Sequence, residues 1–72
     1  MSGLVKRSLQ VAGHATSVAL EPEFWTALEA MAGRRGLPLG ALVAEIDAAR
    51  AGRPLASACR VAALGFARAA DG

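Results

Sequence analysis

Apolar residues alternate with polar ones twice near the start of the chain, and the two runs are out of phase. In "KRSLQVA" (6–12) the apolar side falls on Leu9 and Val11, at odd positions, whereas in "TSVAL" it falls on Thr16, Val18 and Leu20, at even ones. Alternation of this kind is the pattern of a strand with one buried face. A change of parity near Gly13 predicts a bulge, bend or turn at "AGH", because one residue of slip exchanges the two faces. The pattern therefore predicts a strand over 15–20 and a weaker second strand over 7–11. A lone strand leaves its backbone groups unsatisfied, so the partner of 15–20 is either the segment before it or the same strand of another copy.

From residue 22 the period changes to that of a helix. Pro22 suits a first helical turn, and Glu21 and Glu23 complement the positive end of the helix dipole. Phe24, Leu28 and Met31 recur at i, i+4, i+7, with Trp25, Ala27 and Ala32 beside them. Arg34 and Arg35 suit a last turn and Gly36 a left-handed close, so the first helix is predicted over 22–35. Pro38 opens a second, over 38–51, with Leu39, Leu42, Val43, Ile46 and Ala49 on its buried face and "AGRP" ending it. A third is predicted over 55–69, with Leu55, Cys59, Ala62 and Phe66 along one stripe. Val61 and Leu64 lie on the opposite side near Arg60 and Arg68, and a helix apolar on two sides is expected to be buried between neighbours. Residues 1–5 read as a flexible tail and 6–20 as the strand region of a single domain spanning 1–72.

Size changes what this pattern must achieve. A chain of 72 residues with one cysteine has no intrachain disulfide to support a small core, so oligomerisation is the expected supplement. Hydrophobic residues make up 54% of the chain, yet no apolar run approaches the roughly 18 residues of a membrane span or forms a secretory signal core. A soluble, cytoplasmic protein with no membrane partner is expected. The formal net charge is only +2, but it is unevenly placed. Lys6 and Arg7 stand at the start and Arg50, Arg53, Arg60 and Arg68 towards the end, with Glu21, Glu23, Glu29, Glu45 and Asp47 between them.

Little in the chain suggests catalysis. His14 has no carboxylate or cysteine at ligand spacing and reads as a turn residue, with a DNA-backbone contact as its functional alternative. Cys59 lies on an apolar stripe and reads as a small buried hydrophobe. Glu21 and Glu23 are explained by their place at a helix start. With no nucleophile beside a base, no phosphate loop and no metal cluster, neither an enzyme nor a cofactor is expected.

The order strand, Pro-Glu helix start, "RRG" turn and second helix in "TSVALEPEFWTALEAMAGRRGLPLGALVAEI" resembles the ribbon-helix-helix family. The flanking "KRS" and "GH", Trp25 and "AEIDAAR" are similar to a small bacterial group within it, and extend the resemblance from Lys6 to about Phe66. It implies a mainly α fold in which two chains pair their strands into an antiparallel ribbon, intertwined as a homodimer over four helices, with a further C-terminal helix here. In that arrangement Thr16, Val18, Leu20, Trp25, Leu28, Leu42, Val43 and Ile46 form the dimer core, and the ribbon is centred near Ser17. The outer ribbon face enters the major groove of double-stranded DNA, and the start of the second helix holds a phosphate.

Two functions of different class follow. The first is a DNA-binding transcriptional regulator contacting DNA through Lys6, Arg7, His14, Ala15, Ser17, Ala19, Leu39 and Gly40, with Arg34 or Arg35 as further basic contacts. In this reading Lys6 and Arg7 form an N-terminal arm, and base readout is weak because Ala15, Ser17 and Ala19 stand where DNA-reading members usually place Arg, Lys, Asn, Gln or Thr. The second is a dimeric protein-interaction module that keeps the scaffold without binding DNA, with residues 7–11 folded over the small Ala15, Ser17, Ala19 face. A protein partner at the third helix is compatible with either.

Overall fold

The computed structural model describes residues 3–71; Met1 and Ser2 of the expected tail lie outside that range. Strand β1 (Val5–Val11) and strand β2 (His14–Leu20) form an antiparallel hairpin. Its two-residue loop is Ala12–Gly13, with φ of 53° and 84°. Positive φ at both central residues defines the type I′ turn whose twist suits a tight hairpin. The loop sets Val11 opposite His14 and Ser8 opposite Ser17, so odd positions of β1 pair with even positions of β2. That is why the buried positions change parity at Gly13: the break is a turn.

Val5, expected in the tail, begins β1, and Lys6 and Arg7 are strand residues rather than an arm. β1 is as long as β2. Its alternation reads as weak because Arg7 occupies an inward position between Val5 and Leu9. β1 lies beside β2 in the same sheet and leaves the Ala15, Ser17, Ala19 face uncovered by a strand. β2 thus finds its hydrogen-bonding partner within its own chain.

Helix α1 (Pro22–Arg35) starts after Glu21 and closes at Gly36, which has φ 67°. The Leu37 N–H then donates to the Ala32 carbonyl at 2.9 Å, completing the left-handed close. Helix α2 (Leu39–Ala49) follows, with Pro38 as its cap and Arg50 ending it, so both expected end residues lie outside the helix. Helix α3 (Leu55–Asp71) runs slightly beyond its expected end.

One core joins these elements. Leu20, Leu28, Leu42, Val43 and Cys59 are fully buried, with Trp25, Val18, Val11, Ala32 and Ala63 nearly so. Thr16 and Ile46, expected in a dimer core, are half-buried at the margin of this one. Trp25 takes the inward direction of the adjacent aromatic pair, and its indole N–H donates to the Val5 carbonyl at 2.8 Å, fixing the start of β1 to α1. Phe24 is half-buried, with the Arg60 guanidinium 5.8 Å from its ring centre. The second apolar side of α3 is not buried between neighbours: Val61 and Leu64 are 51% and 53% exposed. The core needs only one face of α3, because the other helices and the hairpin all lie on that side.

Candidate nucleic-acid interface

The hairpin has two faces of different chemistry. Leu9, Val11, Val18 and Leu20 turn towards the helices and pack in or against the core. The other face presents Lys6, Ser8 and Gln10 from β1 beside Ala19, Ser17 and Ala15 from β2, in that cross-strand order. Lys6, Ser8, Gln10, Ala15 and Ser17 are exposed and Ala19 is half-exposed. The Ser8 and Ser17 hydroxyls face each other at 3.5 Å in the middle of this surface.

Ser8 and Gln10 were not among the residues expected to contact DNA. A two-residue loop would have identified them, since it places residues 6, 8 and 10 beside 19, 17 and 15. The outer surface is therefore a mixed polar surface with one cation, not the three small residues of β2 alone.

Arg7 belongs to the opposite face. Its Nη1 donates to Glu29 Oε2 at 2.6 Å, and its guanidinium carbon lies 4.8 Å from the Trp25 ring centre. The cation covers the edge of the core, and strand alternation separates it from its neighbour Lys6. His14 is exposed beside the turn, paired across the hairpin with Val11.

The start of α2 abuts the same hairpin. Ala41 and Leu42 donate to the Pro38 carbonyl at 3.0 and 3.1 Å, so the N–H groups of Leu39 and Gly40 precede the first intrahelical bonds. No side chain caps this end. Gly40 has a packing role that its sequence position did not disclose: a Cβ there would lie 2.9 Å from the Gln10 carbonyl oxygen. Hydrogen at that position lets the helix start rest against β1 at Gln10, whose side chain faces outward.

Most arginines serve the scaffold. Arg35 forms a bidentate pair with Glu45 at 2.7 and 3.1 Å, tying α1 to α2. Arg50 pairs with Asp47, and Arg60 pairs with Glu21 at 3.0 Å, joining α3 to the cap of α1. The Glu21 carboxyl is held below its ordinary pKa, first by a backbone hydrogen bond and then by Arg60. Burial raises the Cys59 thiol. Among the described residues Lys6, Arg34, Arg53 and Arg68 form no ion pair. Of these, only Lys6 lies on the outer face of the hairpin. No group of His, Cys, Asp and Glu among the described residues could hold a metal, and no helix is long and apolar enough to cross a membrane.

A two-stranded ribbon with a free polar face, supported on its other face by helices, defines a ribbon-on-helices scaffold. A ribbon-helix-helix domain model matches residues 4–66, and the chain belongs to that family. No curated protein and no solved structure gives a significant match.

Proposed function

We propose that this domain is a DNA-binding transcriptional regulator that places the outer face of its β-ribbon in the major groove and acts as a homodimer. The observation that carries the reading is the uncovered surface of Lys6, Ser8, Gln10 and Ser17. A two-stranded ribbon suits a groove about 12 Å wide. Residues two apart on a strand stand about 7 Å apart, close to two base steps of about 3.4 Å, so Lys6, Ser8 and Gln10 span about four base steps.

Each side chain has a chemistry suited to base edges. Gln10 can exchange two hydrogen bonds with adenine, Lys6 can donate to guanine, and Ser8 and Ser17 can serve either base. Ala15 and Ala19 provide contact for a thymine methyl and allow close approach. The uncapped start of α2 offers N–H groups to a neighbouring phosphate. Family membership supports both DNA binding and dimerisation, since ribbon-helix-helix domains are generally DNA-binding regulators that dimerise.

An exchanged ribbon is the alternative form. β1 centres Ser8 on Ser17, the place that the β2 of another chain would take in an intertwined dimer. In that exchanged form the readers are Ala15, Ser17 and Ala19 alone, and Gln10 has no role.

Fluorescence anisotropy of a mixed-sequence duplex, titrated with protein at about 50 and about 200 mM salt, tests the reading and separates the forms. Binding should weaken steeply with salt, and Lys6→Ala, which removes the guanine contact, should cost about 1–3 kcal/mol of affinity. Loss of affinity in Gln10→Ala supports the hairpin ribbon. Arg7→Ala should reduce thermal stability while leaving DNA affinity unchanged. An absence of binding at low salt by a folded protein would refute the proposal and favour the interaction-module alternative.

A further inference from the structure

The outward side of α3 does not contribute to the ribbon or the core. Ser57, Val61, Leu64 and Arg68 recur at i, i+4, i+7 and i+11, so they form one stripe along the helix. Val61 and Leu64 at its centre are half exposed. Val61 also walls a groove of about 230 Å³ between Ile46 and Ala49 of α2 and Ala58 and Ala62 of α3.

Charge determines what this surface can accept. From Ala48 to Ala70 the chain has Arg50, Arg53, Arg60 and Arg68 and no acid, and Asp71 then ends α3. Arg50 is held by Asp47 and Arg60 by Glu21. Arg53 reaches Ser57 Oγ at 3.3 Å, so its guanidinium lies at the front of the stripe, and Arg68 stands at its far end. Among the described residues neither forms an ion pair. The stripe is thus an apolar centre flanked by two cations, with about 16 Å of helix between Ser57 and Arg68.

We propose that this surface docks an amphipathic helical segment of another protein, with an apolar face that fills the α2–α3 groove and acidic residues near both ends. A second copy of the chain fits poorly. Packed antiparallel it would set Arg53 against Arg68, and packed parallel about a twofold axis it would set Arg68 against Arg68, in either case cation against cation. DNA would satisfy the arginines but leave Val61 and Leu64 against a charged backbone. The proposed occupant satisfies both features.

The test uses a fluorescein-labelled synthetic helix of about four turns, with a leucine stripe and glutamates at both ends, read by anisotropy against the full chain. Controls are the same peptide with lysine for glutamate and with serine for leucine. The wild type should bind only the acidic amphipathic peptide. Val61→Ser with Leu64→Ser should weaken binding at least about tenfold, and Arg53→Glu with Arg68→Glu should transfer preference to the lysine peptide. All four positions are exposed, so circular dichroism should show both double variants folded. The serine variant should retain DNA affinity, which separates this surface from the ribbon. No binding of the acidic peptide, equal binding of the lysine peptide, or loss of homodimer in the serine variant by sedimentation would each overturn the proposal.

Discussion

Gly40→Ala reverses an expectation that holds at other helical glycines. In a helix, alanine in place of glycine contributes about 1 kcal/mol of stability through backbone entropy and propensity. At Gly65, within α3, an added Cβ has no neighbour within 4 Å, so Gly65→Ala should gain that amount. At Gly40 the Cβ would stand 2.9 Å from the Gln10 carbonyl oxygen, a backbone atom of β1 rather than the end of a flexible side chain. Carbon and oxygen in weak contact stand about 3.3–3.6 Å apart, so α2 and β1 must separate by about half an ångström. Overpacking of this kind costs about 1–3 kcal/mol, which leaves a net loss of about 1 kcal/mol after the propensity gain. For a domain of this size that is a fall in Tm of about 4–8 °C, against a similar rise for Gly65→Ala. Thermal melts followed by far-UV circular dichroism measure both. If Gly40→Ala raised Tm as Gly65→Ala does, the close approach of α2 to β1 would be wrong, and with it the position of the helix start beside the ribbon.

Val18 is 4% exposed on the inward face of β2, so Val18→Asp buries a charge without a partner and should cost about 3–5 kcal/mol, unfolding the domain; a variant still helical by circular dichroism would reverse the assignment of faces. The folded-state pKa of Glu21 lies below its ordinary value of 4.5, so its contribution to stability is present above that value and lost as pH falls through the lowered one. The Tm difference between wild type and Glu21→Gln should therefore be constant near neutrality and shrink below about pH 4.5, whereas a constant difference through that range would remove Glu21 from the acid sensitivity. Cys59 is fully buried with its pKa raised, so a thiol reagent should label it only at the rate of unfolding, and rapid labelling of the native protein would contradict the packing of α3.

The helices were the legible part of the chain. Pro22 and Gly36 mark the ends of α1 through local backbone chemistry, and the apolar stripe of α2 reports its buried face because nothing charged interrupts it. The ribbon was harder to read for the opposite reason. Arg7 occupies an inward position, satisfied by Glu29 and the Trp25 ring, and no local pattern shows that a cation will be held there from 18 and 22 residues away. Arg7 weakens the alternation of β1, and a ribbon built from the 15–20 strands of two chains leaves Ser8 and Gln10 without a place on the outer face. Ala12 concealed the turn as well, because type I′ positions usually carry Asn, Asp or Gly, and here alanine takes φ 53°. The candidate site shares this limit. Ala15, Ser17 and Ala19 lie on the outer face with Lys6, but Arg7 does not, and Gly40 proved to be a point of contact with Gln10. For α3 the pattern showed two apolar sides correctly, and only the positions of the other elements decide that one of them meets solvent.

The central claim is that the outer face of the hairpin meets DNA, and amide chemical-shift mapping of the labelled protein during titration with a duplex tests it residue by residue. The largest shifts should fall on Lys6, Ser8, Gln10 and Ser17 and on the first turn of α2, with Val61 and Leu64 unmoved. Shifts confined to α3, or none at all under conditions where the protein is folded, would contradict it.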